Sequence, residues 1–214
     1  MSCSRKTVII GAGGHAKVVI DILRSMPQLE IVGCIDRSNV RTVMQLPVLG
    51  DDDLLPQLWN ADVKHAFVAI GNNQIRQRLA KRATEIGFTL INAVSPYAHI
   101  SESASLGSGI AIMPGAIVNA EAVIDNYAII NTSSSIDHEC YIGESCHVAP
   151  GSHLSGNVHV QEGAFLGTGT TVIDGIHIGA WTVVGAGSVV VRNIPAQCLA
   201  YGVPARIIPH QQSL

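Results

Sequence analysis

Aliphatic residues recur at every sixth position through the second half of the chain. From Ile100 to Val190, each of sixteen positions spaced six apart holds Ile, Leu or Val. They are Ile100, Leu106, Ile112, Val118, Ile124, Ile130, Ile136, Ile142, Val148, Leu154, Val160, Leu166, Val172, Ile178, Val184 and Val190. A period of six is typical of a parallel β-helix, in which three hexapeptides close one triangular coil. The pattern predicts an uninterrupted prism of about five coils.

A second position in the repeat is small. The fourth residue after the aliphatic one is Ala, Ser or Cys in Ala104, Ala116, Ala122, Ala128, Ser134, Cys140, Cys146, Ser152 and Ala164. Alternation of large and small side chains suits a narrow interior, so Cys140 and Cys146 are interpreted as buried small residues. Gly115, Gly151, Asn157 and Gly187 are expected at corners, where the chain needs unusual φ/ψ values.

Composition excludes several classes of function. Charged residues make up 14% of the 214 residues, the net charge is −3, and Lys and Arg are dispersed, which disfavours nucleic acid or an anionic membrane as partner. No apolar run is long enough for a membrane span, and the N-terminal run is too short for a signal peptide. Five cysteines without a CxxC spacing suggest reduced thiols. We therefore expect a cytoplasmic protein.

The first ninety or so residues follow a different pattern, in which apolar strands alternate with helices. "KTVIIGAGGHAKVVIDIL", "EIVGCID", "HAFVAIG", "NNQIRQRLAKRATEIG" and "FTLINAV" are interpreted as strand–turn–helix, strand, strand, helix and strand. This order predicts a small parallel sheet. We expect a half-Rossmann unit over residues 1–95, the prism over 96–194 and a tail over 195–214.

The glycine-rich turn after the first strand is a candidate ligand site. Gly11, Gly13 and Gly14 precede a helix, and Asp36 follows about 25 residues later. Backbone N–H groups at a helix start favour phosphate. Because the second half of a dinucleotide fold is missing, a nucleotide sugar is favoured over NAD. A tight turn without ligand is the alternative, although His15 directly after the glycines favours binding.

A half-Rossmann unit followed by a hexapeptide prism resembles one family over nearly the whole chain. The local markers are "GAGGHAKVV", "AIGNN", "NTSSSIDHECYIG", "HVAPG" and "GVPAR". Together they resemble the sialic acid O-acetyltransferase-like, or nucleotide-aminosugar N-acetyltransferase, group of left-handed β-helix acyltransferases. The resemblance implies a left-handed helix, acetyl-CoA as donor without a metal, and a homotrimer with active sites between neighbouring prisms.

The resemblance assigns the chemistry to the polar stretch at residues 131–143. It implies that His138 is the general base and that Glu139 is the acid that tunes it. Acetyl transfer needs a base near the nucleophile, and a neutral imidazole accepts a proton near pH 7. Adjacent strand residues would point apart, so a corner must bring the two side chains together. A solvated polar turn is the alternative.

The resemblance also implies residues for the coenzyme. His147 matches a histidine near the acetyl end, and the backbone N–H of Gly156 is a candidate oxyanion donor. Thr168 and Ala186 match positions along the pantetheine arm, where small residues let a thin chain run close to the prism. Arg206 in "GVPAR" is a candidate phosphate partner or, alternatively, a cap of the prism.

For the acceptor, the resemblance implies a binding set in the first unit. The set consists of Gly13, Gly14, His15, Asp36, Arg37 and Gly71. Members of the group often carry a second acid after the aspartate, where this chain has Arg37. This departure leaves uridine, thymidine and guanosine sugars open.

The favoured function is N-acetylation of a nucleotide-linked amino sugar of the 4-amino-4,6-dideoxyhexose type, feeding polysaccharide or glycan synthesis. O-acetylation of sialic acid or another sugar hydroxyl is the nearest alternative. A zinc enzyme on this fold would need three convergent histidines, but steps of six put His147, His153 and His159 on different faces. A trimeric scaffold without activity is the remaining alternative.

Overall fold

The computed structural model describes residues 4–208, which form an α/β unit followed by a three-sided prism. The α/β unit contains β1 (Arg5–Ile10), α1 (Gly14–Arg24), β2 (Leu29–Ile35), β3 (Thr42–Val43), β4 (Leu46–Pro47), a 3-10 turn (Asp52–Leu54), α2 (Leu55–Asn60), β5 (His65–Val68), α3 (Asn73–Ile86) and β6 (Thr89–Leu90).

The α/β unit is built on a parallel sheet of four strands in the order β2-β1-β5-β6. Val8, Ile9, Ile10 and Phe67 are almost fully buried, because helices and loops cover both faces of the sheet. The predicted half-Rossmann architecture is confirmed.

Helix α3 has the ends that its sequence predicts. The side chain of Asn72 accepts a hydrogen bond from the N–H of Ile75 at 3.0 Å, which caps the N-terminus. Gly87 ends the helix with a φ of 117°, a conformation that glycine adopts readily.

The prism strands are β7 (Ala93–Val94), β8 (His99–Ile100), β9 (Ser105–Leu106), β10 (Ala111–Ile112), β11 (Ile117–Val118), β12 (Val123–Ile124), β13 (Ile129–Ile130), β14 (Ser135–Ile136), β15 (Tyr141–Ile142), β16 (His147–Val148), β17 (His153–Leu154), β18 (His159–Val160), β19 (Phe165–Leu166), β20 (Thr171–Val172), β21 (His177–Ile178), β22 (Val183–Val184), β23 (Val189–Val190), β24 (Leu199–Gly202) and β25 (Ala205–Ile208). Every third strand from β7 to β22 belongs to face 1, which β24 and β25 extend. Every third strand from β8 to β23 belongs to face 2, and every third strand from β9 to β21 belongs to face 3.

The repeat aliphatics fill the prism. Fourteen of the sixteen positions are at most 2% exposed, and the other two, Ile100 and Leu106, lie at the first coil. Cys140 and Cys146 are buried among them, as predicted. Burial raises the pKa of the Cys146 thiol to about 12, so it stays protonated and unreactive at neutral pH. The prism has about six coils rather than the predicted five, because β7 and β24 extend face 1 beyond the repeats.

The corners have the predicted backbone. Gly115, Gly151, Asn157 and Gly187 have φ values of 72°, 64°, 53° and 68°. A left-handed residue at these corners lets the chain turn sharply between two-residue strands.

The predicted fourth strand, "FTLINAV", is wrong as one element. The structure splits it into β6, which pairs with β5, and β7, which pairs with β10 on the prism. Asn92 lies at the break, where its side chain donates to the Gly107 carbonyl at 2.9 Å and accepts from the Ile110 N–H at 3.0 Å. The domain limits at residues 95 and 194 stay a prediction, and residues 209–214 of the tail lie outside the described residues.

Between residues 4 and 208, no helix has the length and apolar character needed to cross a membrane.

Candidate active site

His138 and Glu139 form a hydrogen-bonded pair at the corner between faces 2 and 3. Nδ1 of His138 lies 3.0 Å from Oε2 of Glu139. Glu139 has a φ of 59°, which breaks the alternation of a strand and brings two adjacent side chains to the same side. The structure thus has the corner that the sequence analysis required to bring the two side chains together.

Asp137 holds the turn beneath the pair. Its Oδ1 accepts from the backbone N–H of His138 at 2.8 Å and from Nδ2 of Asn119, one coil earlier, at 2.9 Å. The hydrogen bond from Asn119, followed by that from His138, lowers the pKa of Asp137. Asp137 therefore contacts the backbone of His138, whereas Glu139 contacts its ring.

The acids around His138 make it more basic. The hydrogen bond to Glu139 is the main cause that raises the pKa of His138, and the charges of Asp137 and Asp174 act in the same direction. Because a carboxylate only accepts, Nδ1 carries the imidazole proton and Nε2 has a free lone pair. The side chain is 54% exposed, so Nε2 is accessible to a reacting group.

Gly156 lies one coil beyond His138 at the same corner. A Cβ atom built on it would stand 2.6 Å from Nε2 of His138, so the imidazole rests directly on this glycine. Among the hydrogen bonds found within residues 4–208, none uses the Gly156 N–H. The site therefore combines a basic nitrogen with a nearby backbone donor.

His147 lies on face 1, away from His138. Its Nε2 is 2.9 Å from Nδ2 of Asn131, whose Oδ1 accepts from the Thr132 N–H at 2.8 Å. Since the Asn131 amide must donate, Nε2 accepts and Nδ1 carries the proton. Burial, followed by the charges of Arg76 and His15, lowers the pKa of His147 to about 3. His147 is therefore a neutral donor at physiological pH.

His15 belongs to the α/β unit, and its charge is one of the causes that lower the pKa of His147 on the prism. Burial and the charge of Arg76 lower the pKa of His15 to about 4. Nε2 of His15 and Nδ1 of His147 are both buried without a hydrogen-bond partner among the described residues. The structure thus joins one residue of the predicted acceptor set with one of the predicted coenzyme set.

A cavity of about 310 Å³ lies beside the glycine-rich turn. Gly11, Asp36, Arg37 and Asp52 line its polar side, and Ile10, Ile35, Ile70, Ile75 and Leu79 are among its apolar lining residues. Apolar walls with a few polar groups suit a flat heterocycle.

Three of the polar lining residues, Asp36, Arg37 and Asp52, already have partners within the chain. Asp36 accepts from the N–H groups of Ala12 and Ser38, each at 2.8 Å. Burial opposes ionisation of Asp36, but the hydrogen bonds from Ser38 and Ala12 outweigh it and lower the pKa. Arg37 pairs with Asp52 at 2.6 Å and is 68% exposed. Asp36 therefore supports the turn itself, and Arg37 is held at the mouth of the cavity.

The other predicted acceptor residues surround the turn and the loop after β5. Gly13 and Gly14 are exposed, and a Cβ at either would meet no atom within 4 Å, so their backbone is open to a ligand. Gly71 lines a second cavity, of about 330 Å³, with Asn73, Phe165 and Trp181.

Thr168 and Ala186 lie eighteen residues apart at the corner between faces 1 and 2, and both are exposed. Arg206 is exposed on β25, opposite Tyr201. His138 lies at a different corner, so one chain does not bring these residues to the His138–Glu139 pair. The histidines that a zinc site would need, His147, His153 and His159, lie on three different faces.

Arg76 is the residue at this junction that the sequence interpretation missed. It is 1% exposed and contacts both units. Its spacing from Asn73, Ala80 and Ala83 places it on the same buried face of the helix, and this pattern could have predicted its burial.

Comparison with known proteins agrees with this architecture. The family model described as the PglD N-terminal domain matches residues 6–83. The structure of PerB from Caulobacter crescentus in complex with CoA and GDP-perosamine is 48% identical, with a TM-score of 0.92, and the match covers 95% of this chain and 97% of that one. The acetyltransferase domain of PglB from Neisseria gonorrhoeae FA1090, in complex with acetyl coenzyme A, is 35% identical with a TM-score of 0.92, covering 96% and 100%.

A curated relative, the UDP-N-acetylbacillosamine N-acetyltransferase of Bacillus subtilis (strain 168), is 36% identical over 122 residues. The match spans 51% of that relative, and a match to a dTDP-amino-sugar 3-N-acetyltransferase of Aneurinibacillus thermoaerophilus spans 24% of its length. The fold is that of the left-handed β-helix acyltransferases. Within that class, the chain belongs to the nucleotide-aminosugar N-acetyltransferase family.

Proposed function

We propose that this protein transfers an acetyl group from acetyl-CoA to the amine of a nucleotide-linked 4-amino-4,6-dideoxyhexose. The observation that carries the proposal is the His138–Glu139 pair, in which Nδ1 is bound at 3.0 Å and Nε2 is left free on an exposed corner. The similarity to PerB, whose structure contains GDP-perosamine, favours a GDP-linked sugar among the possible nucleotides.

In the proposed mechanism, Nε2 of His138 accepts a proton from the sugar amine as its nitrogen attacks the thioester carbon. Glu139 holds Nδ1–H and stabilises the imidazolium that forms. The Gly156 N–H donates to the oxygen that becomes negative. When the carbon–sulfur bond breaks, His138 returns the proton to the departing thiolate, so charge and protons balance.

For the acceptor, the proposal uses the start of α1 and the cavity beside it. The exposed backbone of Gly13 and Gly14 at a helix N-terminus suits a diphosphate. The cavity of about 310 Å³ between Asp36, Arg37 and the apolar wall suits the nucleobase. His15 and Gly71 extend this set towards the prism.

For the donor, we propose a homotrimer. His138 lies at the corner between faces 2 and 3, whereas Thr168 and Ala186 lie at the corner between faces 1 and 2. These corners can meet only when two prisms stand side by side, which supports active sites shared between subunits. In such a site, His147, Thr168, Ala186 and Arg206 line the path of acetyl-CoA. We further propose that the protein works in the cytoplasm, where acetyl-CoA and nucleotide sugars are available.

The test is thiol release from acetyl-CoA against a panel of acceptors. The panel contains GDP-, UDP- and dTDP-linked 4-amino sugars, with free sialic acid beside them. We expect fast release with a GDP-linked 4-amino sugar. Release with sialic acid alone would show that the protein is an O-acetyltransferase rather than an N-acetyltransferase. Absence of release with every acceptor would contradict the proposed activity.

A further inference from the structure

The guanidinium of Arg76 connects the two units of the chain from a fully buried position. Among the fully buried side chains of the described residues, that of Arg76 is the largest by residue volume, and it is 1% exposed. No carboxylate of residues 4–208 forms an ion pair with it. An unpaired buried cation is costly, so its retention needs an explanation.

All the donors of Arg76 are directed at neutral oxygens. Nε donates to the Tyr127 carbonyl at 2.7 Å, and Nη1 donates to the carbonyls of Ile70 and Gly71 at 3.0 and 3.1 Å. Nη2 donates to the Ser145 carbonyl at 2.8 Å and to Oδ1 of Asn73 at 2.9 Å. The rigid fork of the guanidinium thus fixes the loop after β5 against the prism.

Arg76 and Asn73 contact the same prism corner in three successive coils. Tyr127, Ser145 and Gly163 are spaced eighteen residues apart at the corner between faces 3 and 1. Arg76 bonds the first two, and Nδ2 of Asn73 donates to the Gly163 carbonyl at 3.0 Å. Coils repeat about every 4.8 Å, so an apolar contact alone would fit nearly as well one coil away. Directional hydrogen bonds select one coil.

We propose that Arg76 is a positioning residue that fixes the acceptor-binding loop at Gly71 in register with the coil that carries His147. This inference rests on the proposed function, because Gly71 belongs to the acceptor set and His147 to the coenzyme set. Ser145 and the neighbouring Cys146 carbonyl, at 3.3 Å from Nη2, lead directly into His147. One buried group therefore sets the distance between acceptor and donor.

The charge of Arg76 has a second effect on the same junction. It contributes, after burial, to the lowered pKa values of His147 and His15. The ionisable groups found to influence His147 are Arg76 and His15, and neither is an acid. A neutral His147 keeps its Nδ1–H as a donor throughout the range in which His138 works.

The test compares Arg76→Lys and Arg76→Met with Lys81→Met. Lysine retains the charge but cannot reach both sets of carbonyls, and methionine removes the charge. Lys81 is the matched control, because it lies on the same helix and contacts the prism through Glu144 at 2.9 Å, but is 52% exposed. Measurements are kcat and KM for thiol release, and CoA binding by calorimetry.

We expect Arg76→Lys to lower kcat by about 10- to 100-fold, the effect of a misplacement of about 1 Å, with unchanged CoA affinity. Lys81→Met should behave like the wild type. The kcat is divided by the number of CoA-binding sites that calorimetry measures. If Arg76 had a structural role alone, Arg76→Lys would lower only that number. A wild-type kcat per site in Arg76→Lys would therefore overturn the proposal.

Histidine titration by NMR gives a readout that does not depend on activity. In the wild type, His147 should stay neutral at pH 5, and in Arg76→Met its titration should move to higher pH. Should Arg76→Met not fold, Arg76→Gln, which keeps hydrogen-bond donors without the charge, takes its place, and an unmoved His147 titration in the folded variant would overturn the role given to the Arg76 charge. If the wild type releases no thiol with any amino sugar, the proposed function fails, while this titration still judges the role of Arg76.

Discussion

The imidazole of His138 lies on the backbone of Gly156, so that a Cβ atom at Gly156 would stand 2.6 Å from the free Nε2. The two residues are eighteen positions apart and occupy the same corner in consecutive coils. The glycine leaves the space that the ring fills.

Gly156→Ala should therefore displace the ring of His138 and reduce turnover. We expect kcat to fall by about 10- to 100-fold with little change in the free energy of unfolding, since the ring is on the surface. Ser155→Ala, at the neighbouring exposed position, is the control. Wild-type kcat in Gly156→Ala would mean that the ring position does not matter for turnover.

His138→Ala should lower kcat by about 10²–10⁴, the usual contribution of a general base. His153→Ala is the control, because His153 is exposed on strand β17 of face 2 rather than at the corner, and bonds only Ser135 in the described structure. Steady-state thiol release measures both variants. Unchanged turnover in His138→Ala would remove this residue from the chemistry.

Glu139→Gln should shift the pH dependence of kcat. The carboxylate raises the pKa of His138, so its removal should move the acid limb to lower pH, towards the ordinary value of about 6.5. We expect the plateau kcat to fall roughly tenfold, because the base is weaker and less well oriented. Glu121→Gln, at the equivalent corner one coil earlier, should leave the profile unchanged. An acid limb that stays in place or moves upward would contradict the assignment.

Asp36→Asn should raise KM for the nucleotide sugar by about tenfold and leave KM for acetyl-CoA unchanged. An amide oxygen replaces only one of the two oxygens that hold the N–H groups of Ala12 and Ser38, and one lost hydrogen bond is worth about 1.4 kcal/mol. Asp21→Asn, exposed on α1, is the control. A change in the KM for acetyl-CoA would show that the α/β unit serves the donor.

Stability should fall between pH 7 and pH 5 because of His15 and His147. Both have folded-state pKa values well below 6.5, so the unfolded chain binds more protons in this range and stability is lost as the pH falls. The loss at pH 5 should be about 2 kcal/mol per histidine. The raised pKa of His138 acts in the opposite sense, and its stabilisation is lost only as the pH rises above about 6.5.

Denaturant unfolding at the two pH values measures this loss. His147→Gln should show about half the wild-type difference, and His153→Gln the full difference. An identical loss in His147→Gln would show that His147 is not the titrating group.

The sequence predicts most of the prism and part of the site. Because each strand has only two residues, one inward aliphatic position per hexapeptide is enough to define the coil, and fourteen of those positions are indeed buried. The polar stretch around His138 is visible because it interrupts this pattern. The split of "FTLINAV" at Asn92 is not visible, since periodicity does not show that a strand leaves one sheet for another.

The sequence by itself determined the prism, its corners and the glycine-rich turn, because these depend on contacts between residues at fixed spacing in the chain. Only the tertiary structure decided that Arg76 reaches carbonyls 51 and 69 residues away and that the charges of Arg76 and His15 act on His147. Those contacts depend on how the α/β unit lies against one particular coil. A repeat in which every coil offers the same corner does not contain that information.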